Sequence, residues 1–341
     1  MDGLDDQAEA SVEGLIQQLH TNERVEIKHS SRDTAMLRIT DALKDAQMKS
    51  TDAALPIVTK SLVFRSGVSI AGLQMLQDAL NIDDCPIEEL EFVCIRSVQE
   101  LLAAINCCRQ RANIRRLSLK NYRPSTNRLR LLGHESHDAV SEAIRDAVFG
   151  SLVRFEEEEE LGDGNGQRQN FEALKSLETL EIGNFPLGTP GAQILADSVV
   201  KNRTLTTLRL NDCDLRSDSA IAIAQMIKGN KSLRELDLSY NRHYLGSEIR
   251  REMTLKTLVQ KGLRYNLSLM QLYMDETRGI PLKRGKIDRQ LDINRFRATA
   301  FKKHDPFSIP PTMWVHIFAR VSAKPSALHL FLQDSVVTLF R

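Results

Sequence analysis

The stretch NRTLTTLRLNDCDL, residues 202–215, is followed by a close copy, NKSLRELDLSYNRHYL, at residues 230–245. Three leucines of the first copy recur in the second with a displacement of 28 positions: Leu205, Leu208 and Leu210 become Leu233, Leu236 and Leu238. A repeat of this period is typical of an array in which similar structural units stack along one axis. The rest of the sequence is therefore interpreted first by asking where the same spacing returns.

Further copies of the pattern L-x-x-L-x-L-x-x-(N/C)-x-L lie on both sides of this pair. The clearest one upstream begins at Leu177, again 28 residues earlier, and another begins downstream at Leu269. Shorter copies are found nearer the amino terminus, at 114–119, 87–92 and 59–64, and residues 25–27 stay open as one more. The array is thus expected to occupy most of the chain.

The residues between the copies follow a helical period. Ala220, Ile223, Ala224 and Ile227 stand at i, i+3, i+4 and i+7, and the positions 28 residues earlier are also apolar. We expect Ser217 or Asp218 to cap this helix, and a left-handed residue at Gly229-Asn230 to end it. Each unit is then a strand, a turn, a helix and a return. Since one unit cannot bury both apolar faces alone, the prediction is a curved α/β solenoid with parallel strands on the concave face and helices on the convex face.

These repeats resemble the ribonuclease-inhibitor-like class of leucine-rich repeats, whose units of roughly 28 residues contain a full helix. The resemblance implies a horseshoe-shaped leucine-rich repeat solenoid, and it is strongest over 171–275. Three N-x-S/T tripeptides begin at Asn202, Asn230 and Asn266, each just after a predicted repeat helix. We expect these asparagines to end helices rather than to carry glycans.

The chain divides into five predicted regions. Residues 57–124 and 171–278 hold the leucine-rich repeats, preceded by an N-terminal helical cap with degenerate repeats at 1–56. Residues 125–170 form an insertion that contains a helix and ends in a flexible acidic loop, EEEEELGDGNGQRQN. Residues 279–341 are a basic linker and a C-terminal helical cap, in which the basic stretch 278–303 is expected to be a solvated loop that closes the array.

Composition and motifs argue against several classes of function. Lys and Arg number 46 against 45 Asp and Glu, so no overall field favours nucleic acid or an anionic membrane. The five cysteines lack zinc-type spacing, and the acidic start MDGLDDQAEA is unlike a signal peptide. We therefore expect a soluble intracellular protein, cytoplasmic or, with the tetrapeptide Lys283-Arg284-Gly285-Lys286, also nuclear. No metal, cofactor or catalytic constellation is predicted, because His134 and His137 have no further ligand nearby in sequence and GIPLKRGK departs from a phosphate loop.

A binding surface follows from strand geometry. In L-x-L the leucines face the core, whereas the residues between and beside them face the concave side of the sheet. The predicted partner-binding residues are Glu89, Glu91, Arg116, Ser118, Lys120, Thr179, Glu181, Thr207, Arg209, Asn211, Glu235, Asp237, Ser239, Gln271, Tyr273 and Asp275. Their mixed charges suit a protein surface better than a phosphate backbone.

The function predicted from these features is a monomeric, non-catalytic scaffold that binds a protein on its concave face. Two alternatives stay open. Residues 309–333, with Ile317, Phe318 and Leu328, resemble the opening of an F-box, which would make the chain a substrate adaptor of a ubiquitin ligase. Activators of the Ran GTPase also have repeats of this class, although no residue here is assigned to that catalysis. The partner and the pathway are not readable from the sequence.

Overall fold

A computed structural model describes residues 14–28, 33–48, 57–81, 85–109, 113–121, 176–185, 187–241, 248–274, 285–303 and Val315. The insertion predicted at 125–170 and the F-box-like side chains Ile317, Phe318 and Leu328 lie outside these residues, as does Asp275. The region boundaries and the F-box resemblance stay predictions.

One parallel sheet runs through the described part of the chain, with its strands in sequence order. The strands are β1 (Arg24–Ile27), β2 (Ser61–Phe64), β3 (Glu89–Ile95), β4 (Arg116–Asn121), β5 (Thr179–Gly183), β6 (Thr207–Asn211), β7 (Glu235–Asp237) and β8 (Gln271–Tyr273). Equivalent positions of successive repeats pair in register, as in Thr179 with Thr207 and Thr207 with Glu235. The α/β leucine-rich repeat solenoid is confirmed, and the copy left open at 25–27 is its first described strand.

Helices connect the strands and pack against one another in a second layer. They are α1 (14–21), α2 (Asp33–Met48), α3 (Ile70–Leu80), α4 (Val98–Arg109), α5 (Gly188–Lys201), α6 (Ala220–Gly229), α7 (Glu248–Thr257), which continues into a π-helix (Leu258–Leu263), and α8 (Gly285–Lys303). Helix α2 packs on α3, α3 on α4, and α5 on α6. None of the described helices is both long and apolar enough to cross a membrane.

The core lies between the two layers and is built from the repeated apolar positions. Two rows of strand side chains fill it, at 2% exposure or less for the first row: Leu62, Leu90, Leu117, Leu180, Leu208, Leu236 and Leu272. In the second row, the rings of Phe64 and Phe92 stack at 5.1 Å. Each buried side chain contributes roughly 1.5–3 kcal/mol against exposure to water, so neighbouring repeats hold one another in place.

Two asparagines of the N-x-S/T tripeptides, Asn230 and Asn266, join their repeats to the ones before them. Asn230 Nδ2 donates to the carbonyls of Val199 (2.6 Å) and Asn202 (3.0 Å), while its Oδ1 accepts from the backbone N–H groups of Ser232 (2.9 Å) and Leu233 (2.6 Å). Asn266 repeats this arrangement one unit later. The prediction that these residues end helices is confirmed, and their burial leaves no room for a glycan.

Two details of the predicted helix ends are wrong. Asn230 is extended (φ −74°, ψ 140°) and Gly229 is absent from the residues with positive φ, so no left-handed residue ends α6. Gly229 serves a different need, because a Cβ there would lie 2.8 Å from Val200 Cγ1. At the other end, Ser217 and Asp218 do not cap α6. They belong to a 3-10 turn, in which Ser219 Oγ accepts from the N–H of Arg216.

The left-handed residues occur instead where the strands end. Asn184 (φ 62°), Asp212 (φ 54°) and Tyr240 (φ 63°) take this conformation at intervals of one repeat. Asn184 and Asp212 directly follow β5 and β6, and Tyr240 lies three residues beyond β7. Asn and Asp tolerate such backbone, whereas a bulky side chain is disfavoured there by roughly 1–2 kcal/mol. Tyr240 therefore carries strain that its two counterparts largely avoid.

The basic stretch near the carboxyl end is not the solvated loop expected from its charges. Residues 285–303 form α8, which buries Ile287, Leu291 and Ile293. Its buried Asn294 donates through Nδ2 to the Leu269 carbonyl (2.7 Å), and Arg295 Nε donates to the Met270 carbonyl (2.8 Å). The helix thus satisfies backbone acceptors next to β8, and the apolar i, i+4 spacing within the basic stretch was the signal for it.

Replacing Asn230 by alanine tests the hydrogen bonds by which the asparagines join neighbouring repeats, called here the asparagine ladder. We expect Asn230→Ala to lower the free energy of unfolding by about 3 kcal/mol, because five hydrogen bonds of the side chain are lost and buried backbone groups stay unpaired. Urea denaturation followed by circular dichroism measures this. The matched control is Asn211→Ala on the sheet face, where the buried Oδ1 accepts no hydrogen bond and a change of about 0.5 kcal/mol or less is expected. Equal losses of unfolding free energy in both variants would contradict the conclusion that the asparagine ladder stabilises the stacked repeats.

Candidate functional site

The candidate site is the concave face, defined as the side of the sheet that points away from the helices. Register places its side chains in rows that cross the strands. One row runs Arg24, Ser61, Glu89, Arg116, Thr179, Thr207, Glu235, Gln271, and the next runs Glu26, Val63, Glu91, Ser118, Glu181, Arg209, Asp237, Tyr273. A third, shorter row holds Lys120 and Asn211, so the predicted binding residues other than Ser239 and Asp275 lie in the outward rows of the sheet, although they differ greatly in accessibility.

In the amino-terminal half, Lys120 bridges two carboxylates. Its Nζ lies 3.0 Å from Glu91 Oε1 and 3.1 Å from Glu181 Oε1, on the two strands that flank β4. Ser118 stands between these carboxylates in the register and donates through Oγ to Glu181 Oε2 at 3.2 Å. Ser118 is fully buried, so the expectation that its side chain is accessible on the concave face is wrong. The ion pairs of Lys120 with the two glutamates cover the Ser118 side chain.

A second ion pair lies across β1 to β3, at the amino-terminal end of the face. Arg24 on β1 reaches across β2 to Glu91 on β3, with 2.9 Å between Arg24 Nη2 and Glu91 Oε2. Val63 on β2 lies in the row between these two strands and is fully buried, although it is outside the contiguous cluster of core side chains. Arg65 binds Glu26 through two hydrogen bonds, at 2.7 and 3.3 Å. The charges of β1 to β5 are therefore largely neutralised within the protein.

This pairing changes the acidity of the carboxyl groups. Burial alone would raise the pKa of Glu91, but the hydrogen bonds and charges of Lys120 and Arg24 outweigh it and the pKa lies below its ordinary value. The pKa of Glu26 is lowered chiefly by its hydrogen bonds with Arg65. Both carboxylates are consequently charged at neutral pH and act as fixed partners of the neighbouring cations.

The carboxyl-terminal half of the face is more open. Arg209 donates through Nε (3.1 Å) and Nη2 (2.9 Å) to a single oxygen of Glu235, Oε1. Asp237 accepts the backbone N–H of Ser239 at 2.9 Å. On β8, Gln271 is exposed and Tyr273 is 43% exposed, with the Tyr273 hydroxyl donating to Gln271 Oε1 at 3.0 Å. Aromatic and polar surface lie side by side only in this half of the described face.

Chemistry of other kinds finds little support within the described ranges. They contain no group of three or more His, Cys, Asp or Glu side chains that could hold a metal ion. Burial raises the pKa of Cys107 and of Cys213 to about 12, so neither thiol is suited to act as a nucleophile. His134 and His137 lie outside the described residues. The face offers hydrogen bonds, charges and aromatic surface, which are the materials of a binding site.

Five residues of this face were missed from the sequence: Arg24, Glu26, Ser61, Val63 and Arg65. The weak copies at 25–27 and 59–64 were the available signal, since extending the register to them places Ser61 beside Glu89 and Val63 beside Glu91. The left-handed backbone of Tyr240, three residues beyond β7, cannot be read from a tyrosine in the sequence.

Comparisons with known proteins agree with this architecture. The family pattern described as "Leucine Rich repeat" matches residues 201–224 and 229–247. The ribonuclease inhibitor of Mus musculus is 40% identical over 68 residues, which is 20% of this chain and 15% of that relative. This chain contains leucine-rich repeats that are similar to those of a ribonuclease inhibitor. The resemblance seen in its sequence is thereby confirmed.

A solved structure, titled "Leiomodin-1 Actin-Binding Site 2 (ABS2)", is also similar to this leucine-rich repeat protein. The match covers 49% of this chain and 76% of that chain, at 16% sequence identity and a TM-score of 0.33. The mouse inhibitor is matched over much less than two thirds of its length, so the activity and partners of this chain are addressed as proposals.

The charge bridge predicts a pH-dependent stability. Lys120→Met should lower the free energy of unfolding by about 2 kcal/mol near pH 7, because two mostly buried carboxylates lose their shared cation. Since the pKa of Glu91 is lowered on folding, its contribution is complete above the unfolded-state pKa of about 4.3 and is lost as the pH falls through the lower folded-state value. The difference between the variant and the unaltered chain should therefore shrink below about pH 4 in urea titrations.

The matched control for this experiment is Lys60→Met. Lys60 is 57% exposed and pairs at 3.9 Å with Glu23, itself 77% exposed, so a loss of about 0.5 kcal/mol or less is expected. A loss for Lys120→Met that is no larger than the control's, or that is unchanged at low pH, would contradict the bridge as a stabilising contact.

Proposed function

We propose that this leucine-rich repeat protein is a non-catalytic scaffold that binds a protein partner on its concave face. The observation that carries the proposal is the contrast between the two halves of that face. On β1 to β5 Arg24, Lys120, Glu91 and Glu181 bind one another, whereas β6 to β8 present Tyr273, Gln271, Asp237 and the Arg209–Glu235 pair. Contact with the partner is assigned mainly to β6–β8.

A protein fits this surface better than a nucleic acid does. On β6–β8 the two longer outward rows hold Glu235 and Asp237 against the single cation Arg209. Such rows repel a phosphate backbone, while tyrosine and arginine are the side chains enriched at protein interfaces. The proposed location is the cytoplasm, with the nucleus left open, because the buried free thiols Cys107 and Cys213 suit a reducing compartment.

The test begins with purification of the full chain together with its stoichiometric partners from its native cells. The affinity of an identified partner is then measured for Tyr273→Ser and for Ile221→Ser. Ile221 on α6 is 49% exposed and lies in the helix layer, which makes it a matched control. Tyr273→Ser should weaken binding tenfold or more, about 1.4 kcal/mol, and the control should not.

Other outcomes would contradict the proposal. Equal affinities for both variants, or a larger loss for Ile221→Ser, would remove the concave face as the binding surface. Recovery of a ubiquitin-ligase adaptor and cullin, lost on deletion of 309–341, would favour the F-box alternative. Acceleration of GTP hydrolysis by a small GTPase would favour the activator alternative.

A further inference from the structure

One edge of the sheet carries an excess of positive charge in the carboxyl-terminal half of the protein. It is the edge at which each helix ends and the next strand begins. Residues 198–206, 226–234 and 258–270 contribute to it there, and these three segments contain no Asp or Glu. The basic edge is defined here as four exposed or half-exposed cations after α5 and α6: Lys201, Arg203, Lys231 and Arg234.

Hydrogen bonds between repeats bring the segments that carry these cations together. Asn230 Nδ2 donates to the Asn202 carbonyl at 3.0 Å, so the ends of α5 and α6 lie side by side. Just before β7, the Arg234 N–H donates to the Thr206 carbonyl at 2.7 Å. The four cations therefore belong to one continuous surface and not to separate loops.

The same edge is neutralised in the amino-terminal half of the protein. Lys60, just before β2, pairs with Glu23 at 3.9 Å, and Arg115, just before β4, pairs with Glu88 at 3.9 Å. The corresponding residue before β7 is Arg234, and uncharged residues precede β6 and β8. The alternation of charge along this edge consequently ends where the basic edge begins.

The fold accounts for two of the four cations. Lys201 lies in the last turn of α5, where a cation interacts favourably with the helix dipole, and Arg203 donates through Nη1 to the Val200 carbonyl at 2.7 Å. Lys231 and Arg234 lie beyond the end of α6, both are exposed, and neither forms an ion pair with any residue that the structure describes. Their charge is therefore available to a binding partner.

We propose that the basic edge binds an acidic segment of the protein partner that β6–β8 hold on the concave face. This inference rests on the proposed function. The basic edge adjoins that part of the face, because Arg234 immediately precedes Glu235 on β7. An acidic peptide offers carboxylates that form charge-assisted hydrogen bonds with these cations. The segment is not expected to reach the helical side, where Lys228 Nζ lies 5.2 Å from the centre of the Tyr265 ring.

Other anionic partners fit this edge less well. A membrane and a nucleic acid are anionic over distances longer than the repeats that carry the basic edge. Either would also approach the exposed carboxylates of Glu23 and Glu178, which lie on the same edge in the amino-terminal half. An acidic segment of a protein can be confined to the basic edge, so it avoids this repulsion.

The first experiment measures binding of a fluorescein-labelled oligoglutamate peptide to the full chain by fluorescence anisotropy. Two folded variants with the same change of charge are compared, Lys231→Glu/Arg234→Glu at the basic edge and Lys60→Glu/Arg115→Glu at the same edge in the amino-terminal half. The basic-edge variant should bind at least about fivefold more weakly in about 0.05 M salt, and the control should bind nearly as tightly as the unaltered chain. The difference should shrink in about 0.5 M salt, because the charges are then screened.

Several results of this experiment would overturn the inference. Absence of binding, or equal losses in the two variants, would show that the basic edge is not an acidic-peptide site. Tighter binding of single-stranded DNA, or of vesicles that contain phosphatidylserine, would assign the edge to a nucleic acid or to a membrane. Much tighter peptide binding after replacement of the glutamates at 156–160 by alanine would show that the chain's own acidic segment competes for the edge.

The second measurement is affinity for the partner purified with the unaltered chain. Lys231→Glu/Arg234→Glu should weaken this binding at least about fivefold, and Lys60→Glu/Arg115→Glu should not. If only Tyr273→Ser weakens it, this inference fails and the proposed function stands. If only the basic-edge variant weakens it, the concave face is not the binding surface and the proposed function fails. If neither weakens it, or no stoichiometric protein is retained, both fail.

Discussion

Each repeat of this chain can bury its leucines and satisfy its backbone only against the next repeat. The contact that shows this most clearly is the buried asparagine after a repeat helix, Asn230 or Asn266, which donates to carbonyls of the preceding unit and accepts from N–H groups of its own. Equivalent side chains of successive units consequently stack in register across the sheet. Within α8, Asn294 also donates to a carbonyl of the preceding unit, that of Leu269.

Stacking in register constrains the concave face as much as the core. Adjacent strands lie about 4.8 Å apart, so like charges at one position of successive repeats would repel. The chain alternates charge instead, and in the first half of the array Lys120 and Arg24 take up the acidic side chains that remain. The first role of the charges in such a row is consequently to pair with one another within the folded chain. Residues for a partner must be sought where pairing is incomplete and aromatic surface is exposed.

Strand and helix positions could be predicted because each depends on apolar spacing within one unit, as at Leu205–Leu210 and Ala220–Ile227. The asparagine stops were readable for the same reason. Contacts between side chains of different units could not be predicted. The burial of Ser118 could not be predicted, because it depends on the ion pairs that Lys120 makes with carboxylates of the two flanking strands. The left-handed backbone of Tyr240 could not be predicted either, because it depends on the hydrogen bonds of the neighbouring Asn241. The expectation of a solvated loop at α8 was wrong because the many basic residues there hid the apolar stripe of Ile287, Leu291 and Ile293.

Hydroxyl-radical footprinting of the chain alone and in its purified complex tests the central claim directly, because it reads the accessibility of individual side chains. The concave-face account predicts that oxidation of Tyr273 falls in the complex. Met253 and Tyr265, which are 64% and 56% exposed on the helical side, should stay as reactive as in the free chain. Protection of Met253 and Tyr265 with unchanged oxidation of Tyr273 would show that the partner binds the convex side and would contradict the account.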